Sequence, residues 1–182
     1  DRSPSRGLGD VYKRQTQGDK AIDSLPKKIK QNERSVAEIL AANMRKMIIS
    51  ERPNNPAYFD KMSDLLNHLL QEQKDGKIQY KELIKKLIEK LKEARSTIKT
   101  KYPATIDTKG KQALYDNLGK DETLALRVHE TIKANARDGF RDMDSSGLKK
   151  MKALRRAVER VLQGVEVNID DIMQLIVAQR EY

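Results

Sequence analysis

The chain has 182 residues, no cysteine, no tryptophan, six tyrosines and two phenylalanines, and it carries 37 lysines and arginines against 27 aspartates and glutamates, a net charge of +10. Without cysteine there is neither a disulfide framework nor thiolate chemistry, which fits a cytoplasmic protein, and no apolar run approaches the ~20 residues that a membrane-spanning helix needs. The length suits one domain able to remove roughly 70% of its unfolded surface from water, and the basic excess points only weakly to an acidic partner.

Residues 1–15 lack apolar periodicity. Asp10 to Gln15, DVYKRQ, is what the codons GAT GTG TAT AAG AGA CAG encode, and that string looks like a transposase-end adapter used to build sequencing libraries. The stretch 1–15 is therefore read as a non-native tail, with a disordered Arg/Ser/Gly-rich arm as the other reading its composition permits. It holds four basic and two acidic residues, so residues 16–182 keep 33 against 25, a net +8.

From there the apolar period is helical almost throughout. A first helix, starting near Ala21 or Ser35, runs to Glu51 with Val36, Ile39, Leu40, Met47 and Ile48 on one side, and Pro53 ends it. Asn55 caps a second, with Pro56 in the favoured first position and Phe59, Met62, Leu65, Leu66, Leu69 and Leu70 as its stripe. Gly76 terminates that helix. Leu83, Ile84, Leu87, Ile88 and Leu91 mark a third, and the short joint predicts an antiparallel hairpin. Its lysines (Lys81, Lys85, Lys86, Lys90, Lys92) are interleaved with Glu82, Glu89 and Glu93, a pattern of solubility and i,i+4 pairing.

The tract Tyr102 to Leu126, YPATIDTKGKQALYDNLGKDETLAL, is punctuated more specifically. Thr108 caps a short helix carrying Ala113, Leu114 and Leu118, Gly119 stops it, and Asp121 caps the next with Glu122 in its first turn. Ala125, Leu126, Val128 and Ile132 give that helix its apolar side, and Asp138-Gly139 breaks it. Leu148, Met151, Leu154, Val158 and Leu162 form another, capped by Ser145 or Ser146. A last helix is capped by Asn168, with Asp170 and Asp171 in its first turn and Ile172, Met173, Ile176 and Val177 as its buried side. No strand is needed. The expected fold is all-α, a bundle of six to seven helices whose core is aliphatic and methionine-rich.

Motifs with chemistry are sparse. A phosphate loop needs a glycine five residues before Gly-Lys, but Gly110-Lys111 has Thr105 there and Gly119-Lys120 has Leu114. His68 and His129 lie on separate helices without cysteine or HExxH spacing, so both read as surface or boundary residues and no metal or cofactor site is expected. Asp142-Met143-Asp144-Ser145-Ser146-Gly147 opens like a calcium loop. It then fails, with Lys150 at position nine and Ala153 in place of the bidentate glutamate at twelve. Basic stripes remain. Lys149, Lys152, Arg156 and Arg160 fall at i, i+3, i+7 and i+11 and share one helical face. A solvated face is the plain reading, and contact with phosphates of double-stranded DNA or with an acidic partner surface is the sharper one.

The capped tract Tyr102 to Leu126 resembles the C-terminal helical region of the R subunit of type I restriction endonucleases. So do Asn43-Met44-Arg45-Lys46, Asn55-Pro56-Ala57-Tyr58-Phe59, Asp138-Gly139-Phe140-Arg141 and the closing Glu181-Tyr182. The likeness extends over about Thr16 to Tyr182; Phe140 stands where the family usually has tryptophan, losing an indole N–H. The resemblance implies that residues 16–182 are a C-terminal helical domain lying after the nuclease core and the two helicase lobes. This stretch would hold none of their ATP and Mg2+ chemistry and would not itself be an enzyme. Its implied role is docking the DNA translocase and nuclease onto the methyltransferase and specificity subunits, braced against the helicase lobes of its own parent chain, in restriction of foreign DNA. The alternative is a stand-alone basic helical module that binds nucleic acid or another partner.

Overall fold

The computed structural model describes residues 31–95 and 102–182; the expected tail at 1–15 and a helix start near Ala21 lie outside them. Seven α-helices form, and no strand occurs among the described residues. In chain order they are α1 (Glu33–Glu51), α2 (Pro56–Lys74), α3 (Tyr80–Arg95), α4 (Lys109–Asn117), α5 (Glu122–Asn135), α6 (Ser145–Val161) and α7 (Ile169–Ala178), with a 3-10 turn at Arg52–Asn54. The all-α expectation and its helix count hold.

The described residues divide into two compact units, the first from residues 31–50 and 60–95, the second from 51–59 and 102–182. In the first, α1 buries Val36, Ala37, Leu40, Ala41, Met44, Met47 and Ile48. Met62, Leu66 and Leu69 of α2, and Leu83, Leu87 and Leu91 of α3, are buried too. The connection after α2 is set by Gly76 at φ +74°: its N–H donates to the Gln73 carbonyl (3.1 Å) and that of Lys77 to the Glu72 carbonyl (2.8 Å). These are the two bonds of a Schellman motif, in a left-handed conformation that costs glycine nothing.

The second unit has one continuous core. Ile106, Leu114 and Leu118 meet Ala125, Val128 and Ile132 of α5, Leu154 and Val158 of α6, and Leu175 and Ile176 of α7. The α4–α5 and α5–α6 packings are the most extensive, while α7 lies against α4 and the 3-10 turn. Each helix start is capped. Thr108 accepts from Lys111 N–H, Asp121 from Leu124 N–H and Asn168 from Asp170 N–H, satisfying donors that a helix cannot pair internally.

Four expectations are corrected. Asp144, not Ser145 or Ser146, caps α6, its carboxylate accepting from Gly147 N–H at 2.6 Å. Aspartate and serine cap almost equally well, so only the backbone shows which one sits outside the helix. Second, α5 stops at Asn135 and not at Asp138-Gly139, because the chain turns at Ala136 and closes a Phe140-to-Arg137 bond that buries the Phe140 ring. Third, Leu148 and Val177 were placed on buried faces but are 48% and 40% exposed, since each lies at the margin of its apolar stripe. Fourth, His129 is not a surface residue: it is 2% exposed.

Removing the α6 cap tests the boundary. Asp144→Ala is expected to lower stability by about 0.5–2 kcal/mol in urea denaturation, whereas Ser145→Ala or Ser146→Ala should stay within about 0.5. A larger loss at either serine would contradict the assignment.

Candidate functional site

Helix α6 places its apolar residues on the core and its cations on the other side. Six basic residues lie on it. Two bind residues outside the helix: Lys150 Nζ donates to the Asp138 carbonyl at 2.7 Å, and Arg155 bridges Asp170 (2.6 Å) and, on its own helix, Glu159 (2.8 Å). The hydrogen bonds of Arg155, to Asp170 first, hold its pKa above its ordinary value. The other four are Lys149, Lys152, Arg156 and Arg160, of which Arg160 Nε donates to the Arg156 carbonyl of the same helix at 3.2 Å. All are exposed, and among the described residues no carboxylate lies within ion-pairing reach of them. At 100° per residue they occupy an arc of about 80°, centred nearly opposite buried Leu154, Ala157 and Val158. The structure thus brings together the four cations that the spacing predicted.

It also adds a fifth. The C-terminal end of the stripe opens into a cleft of about 410 Å³ lined by polar Arg160, Arg127, Thr123, Gln163 and Asp121 and by apolar Leu124, Val161 and Val165, the first buried and the other two half-buried. Arg127 belongs to α5 and is exposed, and among the described residues it too has no carboxylate in ion-pairing reach. It reaches Arg160 because α5 packs along α6. Sequence reasoning missed it, since nothing in the order of residues says that a cation on one helix will share a cleft with a cation on another. The acid in the cleft is not free: Asp121 Oδ1 accepts the Leu124 N–H at 2.9 Å as the α5 cap.

A separate polar cluster holds the C-terminus. Tyr182 Oη lies 2.8 Å from His129 Nδ1, and Glu181 Oε2 accepts the Gly110 N–H at 2.8 Å. Gly110 is required by this approach, because a Cβ there would stand 2.5 Å from Glu181 Oε2 and 2.9 Å from Tyr182 Oη. Burial pushes the Tyr182 pKa up, so the phenol keeps its proton. Burial likewise pushes the His129 pKa down, with Lys111 and Lys133 adding to the effect and Glu181 and Glu130 opposing it. A neutral imidazole accepting at Nδ1 from a neutral phenol satisfies both groups. The arrangement is a packed joint with no nucleophile in it.

The remaining motifs also resolve into structure. Asp144 of the calcium-like opening is occupied as a helix cap, and among the described residues no group of three His, Cys, Asp or Glu is placed to hold a metal ion. His68 is exposed beside Glu72 at 3.4 Å. Among the described residues no helix is long and apolar enough to cross a membrane. Compared with family models, with curated proteins and with solved structures, the chain matches none.

The His129 joint makes stability depend on pH. Its folded pKa lies below the ordinary 6.5, so as pH falls through 6.5 the unfolded chain takes up a proton that the folded chain refuses. The contribution is complete above 6.5 and is lost as pH falls from there towards the folded value. Urea denaturation of the wild type should show stability falling by up to about 1.4 kcal/mol per pH unit in that window, and His129→Gln should remove that component of the slope. An unchanged slope in the variant would rule out this histidine as the source.

Proposed function

We propose that this chain is the C-terminal helical part of a type I restriction endonuclease R subunit, and that it docks the cytoplasmic DNA translocase and nuclease onto the methyltransferase and specificity subunits. In this reading the chemistry that uses ATP and Mg2+ lies in the preceding part of the parent chain, and the present stretch neither cuts DNA nor hydrolyses ATP. Support comes from the phrases that carry the resemblance, which the fold joins to one another. The Asn55 amide donates to Asp116 at 2.8 Å, Tyr102 Oη donates to the same carboxylate at 2.7 Å, and the Asn117 amide donates to Asn55 at 2.9 Å. Arg141 donates to the carbonyls of Val177 (3.0 Å) and Gln179 (2.7 Å) beside the closing residues.

The observation that carries the docking role is apolar exposure at the start of α6. Met143 is 89% exposed and Leu148 48%, on either side of the Asp144 cap. A core that leaves two flexible apolar side chains in water next to a rigid helix start has a surface suited to burial against a partner. A second reading, a stand-alone basic module that binds nucleic acid, is favoured by the four unpaired cations of α6.

Capture of the chain by an immobilised methyltransferase–specificity complex tests the docking. Met143→Ser combined with Leu148→Ser is expected to weaken capture tenfold or more, since burial of each side chain contributes about 1.5–3 kcal/mol. Failure of the unmodified chain to be retained, while an intact R subunit is retained, would reject docking through this domain.

A further inference from the structure

We propose that the cleft between Arg127 and Arg160 seats a backbone phosphate of duplex DNA, and that Arg156, Lys152 and Lys149 hold successive phosphates along α6. This rests on the nucleic-acid-binding reading and not on the docking one, since it uses neither Met143 nor Leu148.

Four observations support it. The five cations are exposed and lack carboxylate partners among the described residues, whereas Arg155 and Lys150 on the same helix are fully engaged. On the rest of the helix Arg155 is neutralised by two carboxylates and Lys150 is held by a backbone carbonyl. Second, the stripe runs along one continuous helix. Its members rise by about 4.5, 6 and 6 Å along the axis, about 16 Å in all, long enough to run beside four phosphates of one strand, which advance by about 3.4 Å each along the duplex axis.

Third, three of the five are arginines, and two of these line one cleft of about 410 Å³ together with Thr123 and Gln163. Planar guanidinium forks match phosphate oxygens in a bidentate manner that lysine cannot. The cleft wall next to Asp121 is less favourable to an anion. That carboxylate is turned to the Leu124 N–H, so the phosphate belongs on the arginine side.

Fourth, the face lacks what the competing ligands need. Neither α5 nor α6 exposes an aromatic ring, so this face has no platform on which the bases of a single strand could stack. A protein partner would call for an aromatic or apolar centre ringed by polar groups. The one large apolar side chain exposed on α6 is Leu148, at its N-terminal end and away from the cleft. A row of exposed cations beside apolar residues that are themselves buried or half-buried, Leu124, Val161 and Val165, suits a sequence-independent contact with a phosphate backbone.

The test is fluorescence anisotropy of a labelled 20-base-pair duplex titrated with the whole chain across a range of KCl concentrations. Four phosphate contacts predict a slope of log Kobs against log salt near −3.6, at about −0.9 per phosphate. Arg127→Gln with Arg160→Gln should flatten it by about 0.9 and weaken binding by about tenfold at 0.1 M salt. Lys149→Gln, Lys152→Gln and Arg156→Gln together should flatten it by about 2.7. All five residues are exposed, so thermal unfolding of each variant should match the wild type. No binding at 20 mM salt, or an unchanged slope in the Arg127/Arg160 pair, would overturn the proposal. Polyglutamate that displaces the duplex at equal charge with the same salt slope would reassign the face to an acidic protein. Saturable binding of inorganic phosphate that the arginine pair abolishes, with the DNA slope unaltered, would reassign the cleft to a free anion.

Discussion

The Asp116 carboxylate is the point on which the second unit depends. It accepts the Tyr102 phenol and the Asn55 amide together, and its neighbour Asn117 closes the ring by donating to Asn55 and to the Ala113 carbonyl while accepting the Ala57 N–H. Three of these bonds, from Asn55 to Asp116, from Ala57 to Asn117 and from Asn117 to Asn55, join residues about sixty positions apart and so tie the segment 51–59 into the same body as α4. A hydrogen bond to a charged group contributes about 1.5–3 kcal/mol, and all these partners are at least partly buried. Breaking one would leave a desolvated carboxylate or amide short of a partner, which costs more than the bond itself contributes.

Other joints of the same unit follow this pattern. Arg141 lies over the Phe140 ring at 4.2 Å and donates to two carbonyls at the end of α7, and Gln179, itself buried, donates to the Asn54 carbonyl. Glu181 and Tyr182 then close on Gly110 and His129. The residues whose wording is most distinctive are thus mostly those that make side-chain bonds between distant segments. Their specificity has a structural reason, since a polar atom inside a core is tolerated only where its partner stands at the right place.

Helix α6 shows the opposite economy. An exposed ion pair contributes between zero and about 1 kcal/mol, so stability hardly distinguishes a paired surface cation from an unpaired one. Arg155 and Lys150 are held in place at the margins of the helix. The row from Lys149 to Arg160 is left in water, next to a cleft that places Arg127 beside its end. Folding does not call for that placement, which leaves the face open to an external anion.

Much of this was legible in the residues alone. Apolar spacing and the caps Asn55, Thr108, Asp121 and Asn168 determined which segments are helices and where most begin, because those signals act within a few residues of one another. The i, i+3, i+7, i+11 spacing likewise determined that Lys149, Lys152, Arg156 and Arg160 share a face. Tertiary structure alone decided the rest: that Asp144 outcompetes two serines as a cap, that Leu148 and Val177 stand outside the core, that His129 is buried against Tyr182, and that Arg127 joins Arg160. Each depends on which helix lies against which. Local pattern carries no information about that, because the same amphipathic stripe can be satisfied by any apolar face of matching shape.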